Sequence, residues 1–351
     1  MYIVVAIIAF GLLIAVHELG HFTAAKLMGV RVNEFAIGMG PKILKKQGKE
    51  TLYSLRALPF GGFCAMDEDC APEDARSFTA QKRWRRVVIL AAGGVANLLA
   101  AFIIIIILVA GMKGFAGTKI MDLVDGFPNK GEQGLMPGDT IVSINGERLY
   151  YLEDFQLLMQ FAESDRVDLV IRRGGEKIKL DRFPLERREY TIDGQTQLRY
   201  GITFDYIESN VAEALKYSCY TAWNFIRLIR FSIAQLITGA AGVKDLAGPV
   251  AIVDAMNNIG RTSPSVGAAL ANIANFTAFI GVNIALVNLL PIPAMDGGRI
   301  LFIFITWAIE KIMRRRLDPK YEGYIHTGVL FLLLGFMAFI LVNDVVRIIK
   351  N

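Results

Sequence analysis

The sequence predicts a multi-pass α-helical membrane protein with about four transmembrane helices, a β-hairpin on the cytoplasmic side and one soluble α+β domain. Three observations lead to this fold class. Of the 351 residues, 54% are hydrophobic, and the mean hydropathy of +0.42 is high for a soluble domain. Long apolar runs recur along the chain, and basic residues gather beside them. Between two of these runs, over residues 114–208, the composition is that of a soluble domain.

Residues 1–27 are predicted to form the first transmembrane helix, because residues 2–16 carry no charge and are long enough to reach deep into a bilayer. The loop that follows, residues 28–86, contains four lysines near its middle and ends in Lys-Arg-Trp-Arg-Arg at 82–86. Positive residues beside membrane segments stay in the cytoplasm, so the N-terminus is expected outside. A secretory signal peptide fits less well, since no basic segment precedes the run and no small-x-small cleavage site follows it.

The first helix carries the sequence His17-Glu18-Leu19-Gly20-His21. On a helix His17 and His21 share a face and can bind one zinc ion, while Glu18 can reach its water as a general base. His21 lies roughly 8 Å of helix rise before Lys26, so this site is expected below the membrane surface, where ionisable residues are costly and usually functional. The alternative is that these are polar residues of the membrane interface.

Two histidines leave a zinc site incomplete, and Asp296 is the best candidate for a third ligand. It follows Asn288-Leu-Leu-Pro-Ile-Pro-Ala-Met, where Pro291 and Pro293 should break an apolar helix and expose backbone groups inside the membrane. A carboxylate where the helix resumes is favoured by the helix dipole. The competing interpretation is a Pro-Gly turn at the membrane surface, capped by Asp296.

The other elements follow from composition and turn signals. In the loop 28–86, residues 31–38 and 51–59 read as two short strands and residues 59–63 as a tight loop, for which a solvated hairpin is the simplest interpretation. Residues 87–112 form the second transmembrane helix, with Gly93, Gly94 and Asn97 on a face suited to close packing. In 114–208, a strand ends in an Asn145-Gly146 hairpin turn and is followed by a helix at 151–162 and strands at 167–172 and 176–180.

Residues 209–264 mix aromatic and basic side chains, which is typical of amphipathic helices at a membrane interface. The third transmembrane helix is expected over 265–313, interrupted at the two prolines, and the fourth over 324–347, with His326 at headgroup level. The net charge of +5 is concentrated beside membrane segments, which indicates topology rather than nucleic-acid binding. The three cysteines, Cys64, Cys70 and Cys219, form no disulfide or metal framework.

Together, the His-Glu-x-x-His sequence on a first helix and the Asn-x-x-Pro-x-Pro-x-x-Asp-Gly segment on a late one resemble the site-2 proteases, which are intramembrane zinc metalloproteases, in their bacterial RseP/RasP type. The resemblance covers essentially the whole chain, and Met295 stands where the family usually has leucine. It implies that His17, His21 and Asp296 bind one Zn²⁺ and that Glu18 is the catalytic base. It also implies that Asn288, and more distantly Asn97, Pro291 and Pro293, contribute to substrate binding or to an oxyanion site.

The same resemblance implies a protease of the bacterial inner membrane that cuts trimmed single-pass membrane proteins or signal-peptide remnants within or near their transmembrane segments. Its partners would be those substrates and the lipid bilayer. Residues 134–148 resemble the corresponding stretch of PDZ domains, so 114–208 is interpreted as one extracytoplasmic PDZ-like domain, which would either bind peptide ends or act as a size gate. The hairpin in 28–86 would be membrane-associated and could pair with an extended substrate.

Two rival functions remain open from the residues. A different membrane zinc protease would take its third ligand from a downstream glutamate, but Glu34 and Glu50 lie in the predicted hairpin rather than on a second helix. An inactive PDZ adaptor would have no need to keep Glu18.

Overall fold

The computed structural model describes residues 2–66, 75–192, 195–242 and 248–314, together with isolated positions between 324 and 340. The chain divides into two compact units, residues 1–105 with 232–351, and residues 106–231. The predicted fourth helix at 324–347, His326 and Cys70 lie wholly or largely outside the described residues.

Three helices in the described part of the chain are long and apolar enough to cross a membrane. They are α1 (Tyr2–Leu27), α2 (Arg83–Ala110) and α6 (Val266–Leu289), with mean hydropathies of 2.4, 2.7 and 1.7 over their most apolar stretches. α1 ends in a Schellman motif, in which Gly29 has φ +79° and the N–H groups of Gly29 and Val30 bond to the carbonyls of Lys26 and Ala25. This sharp stop turns the chain directly into the β-structure that follows.

Strands β1 (Val32–Gln47) and β2 (Leu52–Met66) form a two-stranded sheet that is much longer than the predicted pair of short strands. Residues 34–37 pair with residues 52–55 and also with residues 62–65, so β2 doubles back beside β1. β1 bends as well, because its residues 42–47 pair again with 52–56. Gly38 permits the bend, since it has φ +86° and a Cβ there would lie 2.6 Å from the Leu58 carbonyl oxygen.

The third predicted membrane segment is two helices in the structure. α6 begins at the N-cap Ser265, whose hydroxyl accepts a hydrogen bond from the Ala268 N–H, and α7 (Asp296–Met313) starts after a six-residue break. The prolines 291 and 293 lie inside that break, as their chemistry predicts. Before α6, α5 (Pro249–Thr262) packs on α1 through a small apolar cluster that includes Ala6, Met256 and Ile273.

The unit 106–231 contains a sheet with strand order β10-β3-β4-β6-β7, with β5 paired to β4, and a separate β8–β9 hairpin. The strands are β3 (Gly114–Leu123), β4 (Thr140–Ile144), β5 (Glu147–Arg148), β6 (Arg166–Arg173), β7 (Glu176–Pro184), β8 (Arg188–Ile192), β9 (Gln195–Arg199) and β10 (Ile202–Glu208). The Asn145-Gly146 hairpin turn is confirmed, because both residues have positive φ and Ile144 pairs with Glu147. Helix α3 (Leu152–Gln160) packs on this sheet over a single core.

The structure differs from the sequence-based boundary at residue 208, because α4 (Val211–Thr238) packs with the preceding sheet as far as Phe231. Arg227 of α4 is buried and its Nη1 donates to Asp154 at 2.8 Å, while Asp154 also accepts the N–H groups of Tyr150 and Tyr151. Tyr217 stacks on Phe115 with ring centroids 4.1 Å apart. Some of the aromatic and basic residues that suggested an interfacial helix, Tyr217 and Arg227 among them, therefore make their contacts within this unit.

Candidate metal centre

His17 and His21 lie one helical turn apart on α1 and are both buried, with their Nε2 atoms 3.2 Å apart. They are covered by α2, which can pass close to the imidazoles only because Gly93 has no side chain. A Cβ on Gly93 would lie 2.4 Å from His21 Nε2 and 2.7 Å from His17 Cε1. Gly20 has the same role on α1, since a Cβ there would lie 2.4 Å from the Ala92 carbonyl oxygen.

Asp296 is the first residue of α7 and brings its Oδ2 atom to 3.2 Å from both Nε2 atoms. The break before it folds back tightly. Ala294 has φ +73°, and Cβ atoms on Gly297 and Gly298 would lie 2.3 and 2.1 Å from backbone carbonyl oxygens of the break. The two glycines after Asp296 are therefore required for this carboxylate to reach the histidines.

Glu18 faces β2 from the same helix. A Cβ on Gly62 would lie 3.1 Å from Glu18 Cγ, and the Glu18 carboxylate accepts a hydrogen bond from the Cys64 backbone N–H. The stretch of β2 at 62–65 thus runs directly beside the predicted base. Its partners on the other side are residues 34–37 of β1.

The two asparagines have different surroundings. Asn288, near the end of α6, has its Nδ2 atom 3.4 Å from His17 Nε2, so it borders the group of three acceptors. Asn97 is fully buried on α2, and neither its amide nitrogen nor its oxygen has a hydrogen-bond partner in the described part of the chain. Pro291 and Pro293 form the break before Asp296, and Pro291 is exposed.

A sequence model of peptidase family M50 matches residues 5–336. The chain belongs to peptidase family M50. A "Putative zinc metalloprotease" of Clostridium acetobutylicum is 35% identical over 98% of this chain and 97% of its own length, and one of the same description from Clostridium perfringens is 35% identical over 99% of each. The "Regulator of sigma-W protease RasP" of Bacillus subtilis is 26% identical over 99% of this chain and 98% of its own length.

These findings confirm the predicted family and activity: the chain is a zinc metalloprotease of the M50, or site-2 protease, family and a membrane protein. The donor set fits the metal. Within the described residues, His17, His21 and Asp296 are the group of imidazole and carboxylate side chains close enough to share an ion. Ligands bound tetrahedrally to zinc at 2.0–2.1 Å lie about 3.3 Å from one another, close to the 3.2 Å separations here.

The hydrogen bonding of His21 also suits an M50 metal site. Its Nδ1 lies 2.8 Å from the carbonyl oxygen of Ile89, and since a carbonyl only accepts, Nδ1 carries the proton. With the proton on Nδ1, the neutral ring directs its Nε2 lone pair at Asp296 Oδ2. A backbone carbonyl that accepts from the other ring nitrogen orients zinc-binding histidines in the same way. Three lone pairs facing one another at 3.2 Å are stabilised by a cation between them.

The glutamates of the rival zinc protease are engaged elsewhere in the structure. Glu34 accepts hydrogen bonds from Ser54, Arg56 and Lys42, which lower the pKa of its carboxyl to about 2 although burial alone would raise it. Glu50 pairs with Lys26 and Arg76. Both carboxylates are thus paired with basic residues of the loop 28–86 and, for Glu50, with Lys26 at the end of α1, rather than directed at the histidines.

Sequence reasoning missed two contributors to this M50 site. The Ile89 carbonyl has no sequence signature, because any residue supplies one. Gly93 was assigned only to helix packing, although a glycine pair inside an apolar helix is a signal of close approach by another group.

We expect Gly93→Ala to weaken zinc binding by at least about tenfold, because the added methyl group overlaps both imidazoles and changes in the surroundings of a metal ligand typically cost 10- to 100-fold. Zinc affinity measured by competition with a chelator checks this. Gly94→Ala is the matched control, since its Cβ would meet Leu289 Cγ at 3.0 Å and the Ala285 carbonyl oxygen at 3.3 Å, whereas neither imidazole is among its nearest neighbours. Equal zinc affinity in the two variants would show that Gly93 does not set the histidine positions.

Proposed function

We propose that this chain hydrolyses peptide bonds within or near the transmembrane segments of membrane proteins that have already been trimmed by another protease. The observation that carries the proposal is that Asp296 converges on His17 and His21, which lie on a helix that is apolar enough to cross a membrane. A proteolytic centre on such a helix acts on chains that reach it through the bilayer. The name of the Bacillus subtilis relative, a regulator of sigma-W, suggests substrates that control transcription from the membrane.

In this proposal His17, His21 and Asp296 hold one zinc ion, which lowers the pKa of water and polarises the scissile carbonyl when bound. Glu18 accepts the proton of the attacking water and donates it to the departing amine. Asn288 borders His17 at 3.4 Å and is positioned to hold the substrate carbonyl. Because the carbonyls of a helical substrate are engaged in hydrogen bonds, the segment to be cut must first unwind.

We further propose that the N-terminus lies outside the cell and the loop 28–86 inside. The support is the lysines that follow α1 and the arginines Arg83, Arg85 and Arg86 at the start of α2. With α1 and α2 running in opposite directions, the domain after α2 is extracytoplasmic in this arrangement.

The experiment that tests the function uses the full chain in proteoliposomes, with single-pass transmembrane peptides and soluble peptides of matched flanking sequence as substrates. We expect cleavage of the transmembrane peptides, at bonds within or next to the apolar segment, as read by mass spectrometry. Efficient cleavage of the soluble peptides together with none of the transmembrane ones would contradict the proposal. The Glu18→Gln protein supplies the background for contaminating proteases.

The domain 114–208 is proposed to be PDZ-like and to control which substrates reach the metal centre. The support is its sequence likeness at residues 134–148 and its single sheet with one helix packed on it. None of His17, Glu18, His21 or Asp296 belongs to it.

Deletion of residues 118–208 should therefore leave hydrolysis intact and change substrate choice. If the domain filters by size, the variant will cut substrates that keep their extracellular domains; if it recruits new peptide ends, cleavage of trimmed substrates will fall. Because the deletion uncovers Tyr217 and Arg227 on α4, zinc content must be measured first to establish correct folding. A zinc-loaded deletion variant without any activity would mean that the domain helps to build the active site.

A further inference from the structure

The β1–β2 sheet has one charged face and one apolar face. Cross-strand pairing places Phe35 beside Tyr53, and Ile37 beside Leu55. Leu44 pairs with Leu55 on the other side, so these side chains share one face. The opposite face carries the hydrogen-bonded group of Glu34, Ser54, Arg56 and Lys42. The sheet is therefore amphipathic across its thickness, although it directly follows a helix that can span a membrane.

Helix α1 covers only half of the apolar face. Phe22 packs against Phe35 and Tyr53, with ring centroids 5.1 and 6.0 Å apart, and Gly62 approaches Ile14 and Glu18. The outer half remains open, with Leu44, Leu55 and Ile37 exposed to 64%, 43% and 39%. A groove of about 310 Å³ runs over this half. It is lined by Phe35, Ile37, Leu44, Lys45, Lys46, Tyr53, Ser54 and Leu55.

The lysine-bearing end and the apolar end of the groove lie beside different parts of α1. The row that contains Lys46 and Tyr53 lies beside Phe22, close to the end of α1, where Lys26 pairs with Glu50 at 3.2 Å. The next row on the same face contains Leu44, Leu55 and Ile37, and Ile37 pairs with Gly62, which lies beside Glu18. Glu18 is about 6 Å of helix rise before Phe22, so this row is farther from the end of α1. If α1 crosses the membrane, Lys46 lies nearer the headgroup level and the two leucines lie at acyl-chain depth.

We propose that this groove binds one anionic phospholipid, with an acyl chain along Leu44, Leu55 and Ile37 and the phosphate on Lys46, which shares their face of the sheet through its pairing with Tyr53. Two observations favour a lipid over a peptide. The described lining contains no acidic side chain, and the end with Lys46 and the apolar end are ordered as the headgroup and acyl chain of a phospholipid. Residues 62–65, which lie next to Glu18, form the edge of the sheet opposite to the edge that carries Leu44. The site thus places a lipid against the sheet that flanks the base.

The proposal rests on the membrane placement of α1, and its test does not involve hydrolysis. The full zinc-loaded chain in detergent is titrated with phosphatidylglycerol and, separately, with phosphatidylcholine of the same acyl chains, and bound lipid is counted by native mass spectrometry. The substitution Lys46→Gln should weaken phosphatidylglycerol binding on the order of fivefold and leave phosphatidylcholine binding unchanged. Leu44→Gln should weaken both lipids, because it shortens the apolar end of the groove.

The matched control is Lys45→Gln, which removes the same charge from the adjacent residue, whose pairing with Ser54 places its side chain on the opposite face of the sheet. If the control variant lost as much affinity for phosphatidylglycerol, the effect would be one of general charge rather than of this groove, and the proposed site would be wrong. Equal affinity for the two lipids in the wild-type chain would also contradict the site. Displacement of the bound lipid by a transmembrane peptide would assign the groove to substrate instead. Glu18→Gln protein should bind lipid normally, so failure of the catalytic proposal and failure of the lipid site are separable.

Discussion

Replacement of Glu18 by glutamine should reduce peptide hydrolysis by ~10² to 10⁴-fold, the usual contribution of a general base, while zinc content stays at the wild-type level. The amide keeps the size of the carboxylate but cannot accept the proton of the attacking water. Glu18 also accepts a hydrogen bond from the Cys64 N–H through its carboxylate. An amide oxygen can accept that bond too, so the position of β2 beside α1 should be preserved.

The measurement is turnover of a transmembrane peptide in proteoliposomes, with zinc determined in the same preparation. Glu163→Gln, at an exposed glutamate of the unit 106–231, is the control for loss of a carboxylate as such. If the Glu18 variant kept near-normal turnover with full zinc, a different residue would have to be the base. If it lost its zinc, the carboxylate would instead belong to the metal-binding set.

Asp296→Ala and His21→Ala should each remove zinc from the protein, with a loss of affinity larger than the 10- to 100-fold typical of outer-shell changes. Each substitution deletes one of three acceptor atoms that lie 3.2 Å from one another. Removal of Asp296 also takes away the carboxylate that, among the described residues, lies close enough to share an ion with the two imidazoles. Atomic absorption after dialysis against a weak chelator gives the stoichiometry, which should fall from about one ion per chain.

Asp254→Ala serves as the control, because Asp254 lies on α5 and contacts Asn258 rather than the histidines. Undiminished zinc in Asp296→Ala would remove that residue from the site and reopen the search for the third ligand.

Asn288→Ala should keep its zinc while lowering turnover, because the Asn288 amide borders His17 but is not one of the three acceptors. Zinc content and turnover measured on the same preparation distinguish metal binding from catalysis.

Local sequence determined much of this protein. The four-residue spacing of His17 and His21 fixes a shared helix face, because helix periodicity depends on the backbone alone. The apolar run around them fixes a membrane-spanning helix by length and composition. Pro291 and Pro293 fix a helix break, since they lack an N–H group, and Asn145-Gly146 fixes a hairpin turn through its positive φ angles. Each of these properties involves neighbours within a few residues.

The tertiary structure decided what depends on segments far apart in the chain. Asp296 stands 275 residues after His21, and only the packing of α1, α2 and the break before α7 brings its Oδ2 to both imidazoles. The proton on His21 Nδ1 is fixed by a carbonyl that any residue at position 89 would supply. The doubling back of β2 beside Glu18 and the packing of α4 on the soluble unit were likewise beyond local patterns. Residue type and spacing set the chemistry that is available, whereas long-range packing sets which of those groups meet.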